Sequence, residues 1–321
     1  MKILVTGGTG YLGRTLVQAL AARGHDVVIF ARSASRSGLP GIAVDGDVRD
    51  LAALERAAAG CDAISHSAAL VSIWRRRREE FDEVNIGGLR NILTVAASQK
   101  IARIVYTSSF VALPPRGGTE PLEANDYQRT KVAADRLAGA AVRDGSPLVR
   151  VYPGVIYGPG SFTEGNLVGR LIADHLKHRL PGLIGPENLW SYAYVDDVAA
   201  GQCAALERGG AGARYALGGE NVPQSRVFEI VETLTGRRPP MRIPFPIADV
   251  LGAIEELRAQ LLGGTPLVTR GAVEIFRHDW SLDSGDAIRD LGYAITPLTE
   301  GLRRTVASIT SAARAQETLG A

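Results

Sequence analysis

The stretch Lys2–Leu20, "KILVTGGTGYLGRTLVQAL", decides how the rest of the chain is read. A short apolar run passes directly into closely spaced glycines, and an amphipathic helical pattern begins at once. A glycine turn between a strand and a helix N-terminus offers free backbone N–H groups and the positive end of the helix dipole to a pyrophosphate. Side chains on Gly7, Gly10 or Gly13 would block that approach, so these glycines mark a dinucleotide site, with Thr9, Tyr11 and Leu12 lying between them.

The same alternation of apolar runs and helical patterns continues down the chain. "DVVIF", "GIAVDGD", "DAISHSAA", "ARIVYTSS" and "PLVRVYP" read as strands, and the amphipathic stretches between them as helices. Nearly continuous apolar strands separated by helices indicate βαβ units and a parallel sheet covered on both faces. Residues 1–157 therefore read as a doubly wound α/β (Rossmann) domain of six or seven strands. Beyond Pro153, glycine and proline in "PGVIYGPGSFTEGN" and "HRLPGLIGPENLW" break the alternation. Helical patterns then prevail, predicting a smaller, mostly helical substrate domain over 158–321. The chain is expected to rejoin the main sheet around 190–217, near "SYAYVDDVAAG", with "ARYALGG" as a strand and the last few residues as a frayed tail.

Bulk properties remove several function classes. The 321 residues are 45% hydrophobic and 22% charged with a formal net charge of +2, an ordinary globular balance with no nucleic-acid footprint. Cys61 and Cys203 are the only cysteines and have no metal-ligand spacing, so both read as buried small hydrophobes. No run reaches the ~18 apolar residues of a membrane span, which places the expectation on a soluble, cytoplasmic protein. The histidines make no metal set: His175 and His178 fall on one helical face without a third ligand. "WRRRREE" from Trp74 to Glu80 reads as a solvated helix start with ionic pairs, an anion-binding edge of the cleft being the alternative. Trp190, Tyr192 and Tyr194 read as the packed side of a half-buried strand, with substrate contact by any of them as the alternative.

The GxxGxxG spacing after the first strand resembles that of the extended short-chain dehydrogenase/reductases, and the likeness runs along nearly the whole chain. "GDVRD" is similar to the family's adenine-contacting turn, which implies roles for Asp47 and Val48. "HSAA" is similar to the fourth-strand motif lining the cofactor, implying Ser67, Ala68 and Ala69, and "VNIGGLRNIL" to the helix motif that contains Asn85. "PGVIYGPG" resembles the strand end facing the nicotinamide, implying Pro153, Gly154 and Val155. "YQRTK" matches the family's YxxxK. Its tyrosine, here Tyr127, exchanges the substrate proton; its lysine, here Lys131, holds the nicotinamide ribose and lowers the tyrosine pKa. A free phenol titrates near ~10, so a fixed ammonium beside it would ease proton exchange at neutral pH. In "VYTSSF" the resemblance makes Ser109 the catalytic serine and Ser108 structural, while the loop from Ser109 to Tyr127 is shorter than usual in the family.

The end of the second strand chooses the dinucleotide. NAD enzymes usually place a carboxylate there, whereas an arginine accommodates the 2′-phosphate of NADP. In "VVIFARSASR" Arg32 takes that place with Ser33 and Arg36 close by, so NADP(H) is favoured and NAD(H) is the alternative. The expected activity is reduction of a small-molecule ketone or aldehyde, with Ser109, Tyr127 and Lys131 as the site. The closest likeness is to dihydroflavonol reductases and related hydroxysteroid dehydrogenases, and the closing segment "HDWSLDSGDAIRDLGYAITPL" shares it. The rival readings are a nucleotide-sugar epimerase or dehydratase on a retained NAD and a dinucleotide-sensing regulator. The resemblance also implies a homodimer through the helices bearing Asn85 and Tyr127.

Overall fold

The computed structural model describes the backbone of residues 1–319 and the side chains of residues 1–311, so the final residues expected as a frayed tail lie outside the described part. The first half alternates β1 (Lys2–Thr6), α1 (Tyr11–Ala22), β2 (Asp26–Ala31), β3 (Ile42–Asp45), α2 (Leu51–Ala58) and β4 (Ala63–His66). It continues with α3 (Glu79–Phe81), a wider-wound turn over Asp82–Gly87, α4 (Gly88–Ser98), β5 (Arg103–Thr107), α5 (Asp126–Arg143) and β6 (Leu148–Pro153). Polar caps set the helix starts where the chain allows them: Asp50 accepts from Ala53 N and Asn125 from Gln128 N.

The second half contains β7 (Val155–Tyr157), α6 (Leu167–Leu176), β8 (Leu183–Ile184), β9 (Leu189–Tyr194), α7 (Val195–Arg208), β10 (Arg214–Leu217) and β11 (Glu220–Pro223). α8 (Gln224–Thr235), β12 (Arg242–Ile243), α9 (Phe245–Leu262), α10 (Arg270–Phe276), α11 (Gly285–Leu291) and α12 (Leu298–Leu319) complete it.

The main sheet has seven parallel strands in the order β10-β6-β5-β4-β1-β2-β3. Alternate residues of each strand face opposite ways, so Ile3 and Val5 pack under α1 and α7 while Leu4, Ile64 and Ile104 pack against α2, α4 and α5. Both faces are thus covered, which explains the near-continuous apolar strands. The strand order reverses between β1 and β4, and a crevice opens outside the carboxyl ends there.

The return to the sheet differs in detail from the sequence reading. The "SYAY" strand, β9, does not join the main sheet; it pairs with β7 and β11 in a small separate one. α7 and β10 make the return, with Arg214 to Leu217 in register beside Arg150 to Pro153. Trp190, Tyr192 and Tyr194 are buried as the packed side of β9, but the strand is not half-buried, because Ser191 and Ala193 on its other side are covered too. His178 is not on a helical face with His175: α6 ends at Leu176, and His178 adopts a positive φ of 58° beyond it.

Candidate active site

The glycine loop is shaped by contacts that exclude side chains. Gly7 has φ +72°, and a Cβ on it would lie 2.7 Å from Ala68 N; one on Gly13 would lie 2.1 Å from Gly7 O. Gly10 N donates to Gly7 O at 2.9 Å, closing the turn. Gly10 is the N-cap of α1 and supplies no side-chain cap, so the first N–H groups of that helix point into the crevice unopposed. That cradle fits a pyrophosphate.

The crevice is a cleft of about 1570 Å³. Gly7, Thr9, Gly10, Tyr11, Leu12 and Gly13 form one edge, and Ser67, Ala68 and Ala69 after β4 form the floor beside them. Arg32, Asp47 and Val48 line the end under β2, while Pro153, Gly154 and Val155 line the opposite end. Arg32 is exposed and directly follows β2. Arg49 holds the Asp47 carboxyl below its ordinary range through hydrogen bonds and charge, Arg32 adding to the effect.

Two sequence-derived cofactor residues are not brought into the cleft. Arg36 sits in the exposed turn after β2 and does not line the crevice. Asn85 is buried and spends its amide on the Leu70 backbone, accepting from Leu70 N at 2.7 Å, and on Thr130 Oγ1 at 2.9 Å. It holds the segment after β4 in place from behind.

Ser109, Tyr127 and Lys131 all open on the same cleft. Ser109 follows β5 at the carboxyl edge of the sheet; Tyr127 and Lys131 stand one turn apart near the start of α5. Burial raises the Tyr127 phenol above its ordinary value, and the neighbouring Ser109 hydroxyl pulls the other way. Lys131 is 3% exposed, and this desolvation lowers its ammonium to about 8, with the Asp135 carboxylate partly opposing the shift. Its Nζ donates to Thr107 O at 2.8 Å and lies over the Tyr106 ring. The expected effect of Lys131 on Tyr127 is therefore not seen here: burial and Ser109 govern the phenol, because the ammonium is turned toward β5. Ser108 donates to Asp135 Oδ1 at 3.0 Å.

Several residues in the cleft or directly behind it were given no site role in the sequence reading, whereas Trp190 had substrate contact as its alternative and does line the cleft. Thr107 Oγ1 meets Ser67 Oγ at 2.9 Å and accepts from Gln202 Nε2 at 3.1 Å, tying β4, β5 and α7 together. His66 is buried, shares a 2.7 Å hydrogen bond with Thr6 Oγ1, and is pushed down to about 3 by burial first and Lys131 second, so it stays neutral. Phe110, Trp190, Ile275 and Phe276 give the substrate end of the cleft an apolar lining. Phe110 was legible as the neighbour of Ser109, but no local pattern announces that α10 reaches the site. Of the "WRRRREE" arginines, Arg77 and Arg78 form the expected pairs with Glu83 and Asp126, while Arg75 also borders the cleft. Among the described residues no cluster of His, Cys, Asp or Glu is arranged to hold a metal ion.

Residues 3–218, the whole main sheet, match the model of the NAD dependent epimerase/dehydratase family. The chain belongs to that family. Within it the chain is of the extended short-chain dehydrogenase/reductase type, and its curated relatives include oxidoreductases. Sterol demethylase protein B of Methylococcus capsulatus is 32% identical over 92% of this chain and 94% of its own length. A putative dihydroflavonol 4-reductase of Synechocystis is 31% identical over 94% and 92%. The 2-alkyl-3-oxoalkanoate reductase of Stenotrophomonas maltophilia is 32% identical over 96% and 99%. Among solved structures, that of gox2253 superposes with a TM-score of 0.82 at 28% identity, covering 97% of this chain and 98% of the other.

Proposed function

We propose that the chain is an NADP(H)-dependent oxidoreductase that reduces the carbonyl of an apolar ketone or aldehyde to an alcohol. The observation that carries this reading is that Ser109, Tyr127 and Lys131 face the glycine loop across one cleft whose substrate end is lined by Phe110, Trp190, Ile275 and Phe276. Relatives named for dihydroflavonol and 3-oxoalkanoate reduction support the direction of the chemistry.

When bound, the nicotinamide supplies or accepts the hydride. The first turn of α1 would hold the pyrophosphate, Arg32 the 2′-phosphate and Lys131 the ribose. Tyr127, whose phenol burial raises above its ordinary value, holds the proton destined for the substrate oxygen, and Ser109 orients that oxygen by a second hydrogen bond. The aromatic and aliphatic wall excludes water from the reacting carbonyl and selects an apolar neighbour for it.

Calorimetric titration with NADPH and NADH, followed by a screen of apolar ketones, tests the reading. Reversible binding that prefers NADPH, with turnover lost and cofactor binding kept in Tyr127→Phe, is the expected result. Retained turnover in that variant removes Tyr127 from the mechanism; NAD carried tightly through purification moves the assignment to a nucleotide-sugar epimerase or dehydratase.

A further inference from the structure

Nine of the fourteen large hydrophobic side chains exposed among the described residues fall between Met241 and Leu267. Contiguous apolar patches on soluble monomers rarely exceed a few hundred Å², and larger ones mark interaction sites. Ile247, Val250, Leu251, Ile254, Leu257 and Leu261 recur at three- and four-residue spacing along α9, so they share one outward stripe. Ala248, Gly252 and Ala259 are buried on the other side of the helix, where a Cβ on Gly252 would lie 2.9 Å from Arg270 N at the start of α10. The stripe widens where α9 ends at Gly263: Leu261, Leu262 and Leu267 are 74%, 82% and 83% exposed.

The charges around this stripe follow a pattern. Those of α9 itself are neutralised locally, Asp249 by Arg277, Glu255 by Arg258 and Glu256 by Arg270. Before the helix starts, exposed Met241 shares a shallow depression with His178, Arg237 and Arg238. Arg237 donates to Leu176 O and contacts His178, and neither arginine is engaged by a carboxylate among the described residues. An apolar helical face with neutralised flanks and a cationic corner has the character of a helix lying in a lipid interface.

We propose that α9 and the Met241 corner dock on a bilayer surface carrying anionic headgroups, the leucines entering the acyl boundary and Arg238 meeting the headgroups. No described helix is long and apolar enough to cross a membrane, so the contact is with one leaflet. α10, on which α9 packs, contributes Ala272, Ile275 and Phe276 to the cleft, so docking sets the apolar end of the site one helix away from the bilayer. An apolar substrate dissolved in the leaflet then has a short way in.

The test is flotation of the full chain with phosphatidylcholine vesicles, with and without phosphatidylglycerol. It needs neither cofactor nor substrate, so its outcome is independent of the proposed activity. The wild type is expected to float with the anionic vesicles. A Leu261→Asp, Leu262→Asp, Leu267→Asp variant should lose at least tenfold in bound fraction with an unchanged circular dichroism spectrum, and Arg238→Glu should lose the preference for phosphatidylglycerol. All four positions face solvent, so folding should survive the changes. Wild type that stays in the bottom fraction, or a triple variant that floats like the wild type, overturns the proposal. So does an oligomer seen by light scattering that the triple variant dissolves into monomers without any vesicle binding, since the face would then join copies of this chain.

Discussion

The buried ammonium of Lys131 should make the cofactor-free protein less stable than a variant without it. Burial lowers Lys131 from an ordinary 10.5 to about 8. At 1.36 kcal/mol per unit, that shift is a penalty of about 3 kcal/mol wherever the lysine is charged in both folded and unfolded chains. Lys131→Met keeps the length and volume of the side chain and removes the charge. It also loses the 2.8 Å hydrogen bond to Thr107 O, worth about 1 kcal/mol, so the variant should gain about 2 kcal/mol at pH 7. Between pH 8 and 10.5 the unfolded lysine binds more protons than the folded one, so the wild type becomes relatively more stable as pH rises and the advantage of the variant shrinks. The window follows from the two pKa values and from nothing else in the site. Urea denaturation of both proteins at pH 7 and pH 10, without cofactor, measures the difference; taking the difference cancels the titration of the cysteines and other tyrosines. A variant that is less stable at pH 7 by the same margin as at pH 10 would show that Lys131 is not carried at a desolvation cost, and the account of its environment would be wrong.

Other consequences of the geometry can be checked as directly. Gly13→Ala should cost about 1 to 3 kcal/mol in stability and abolish NADPH binding, because its Cβ meets Gly7 O at 2.1 Å, whereas Gly10→Ala, at 3.2 Å from the same atom, should be milder in stability; denaturation and cofactor titration compare them. Ser108→Ala should lower stability by about 1 kcal/mol through the lost hydrogen bond to Asp135, which keeps its ion pair with Arg150, yet keep turnover, while Ser109→Ala should do the reverse and cut kcat by about 10²-fold or more. Arg32→Ala should weaken NADPH by about 1 to 3 kcal/mol and leave NADH nearly unchanged, as read by calorimetry; an equal loss for both cofactors refutes the phosphate contact.

What was legible in the sequence was local. The glycine loop could be read because backbone geometry at a strand–helix turn excludes Cβ atoms within a few residues of each other. Helical spacing puts Tyr127 and Lys131 on one face, but such a pair settles nothing alone; it could be read as a site because "YQRTK" matches the family's YxxxK. What was not legible depends on contacts between distant segments. Asn85 carries a family motif, yet only the folded chain shows that its amide is consumed by Leu70 and Thr130. "SYAY" and "ARYALGG" are both short apolar strands, and nothing within either says which joins β6 and which leaves for the small sheet; that is decided by α7, which must cover the face under β1 and therefore delivers the strand after it, not before it. The reach of α10 into the cleft has no sequence signature for the same reason.

The return of the chain through α7 also bears on the chemistry. Thr107 ends β5 and is the node of the site: its carbonyl holds Lys131, and its hydroxyl is held by Ser67 from the cofactor-lining segment and by Gln202 from α7. Gln202 is fully buried, so leaving its amide without Thr107 would cost a desolvated donor, about 1 to 3 kcal/mol. The lysine is therefore not positioned by α5 alone. It rests on a strand end whose orientation is fixed from one side by the segment that lines the cofactor cradle and from the other by a helix that closes the sheet after the excursion into the substrate region. A chain that failed to complete that excursion would still form its glycine loop and its YxxxK helix, but it would present Lys131 with a Thr107 held on one side only.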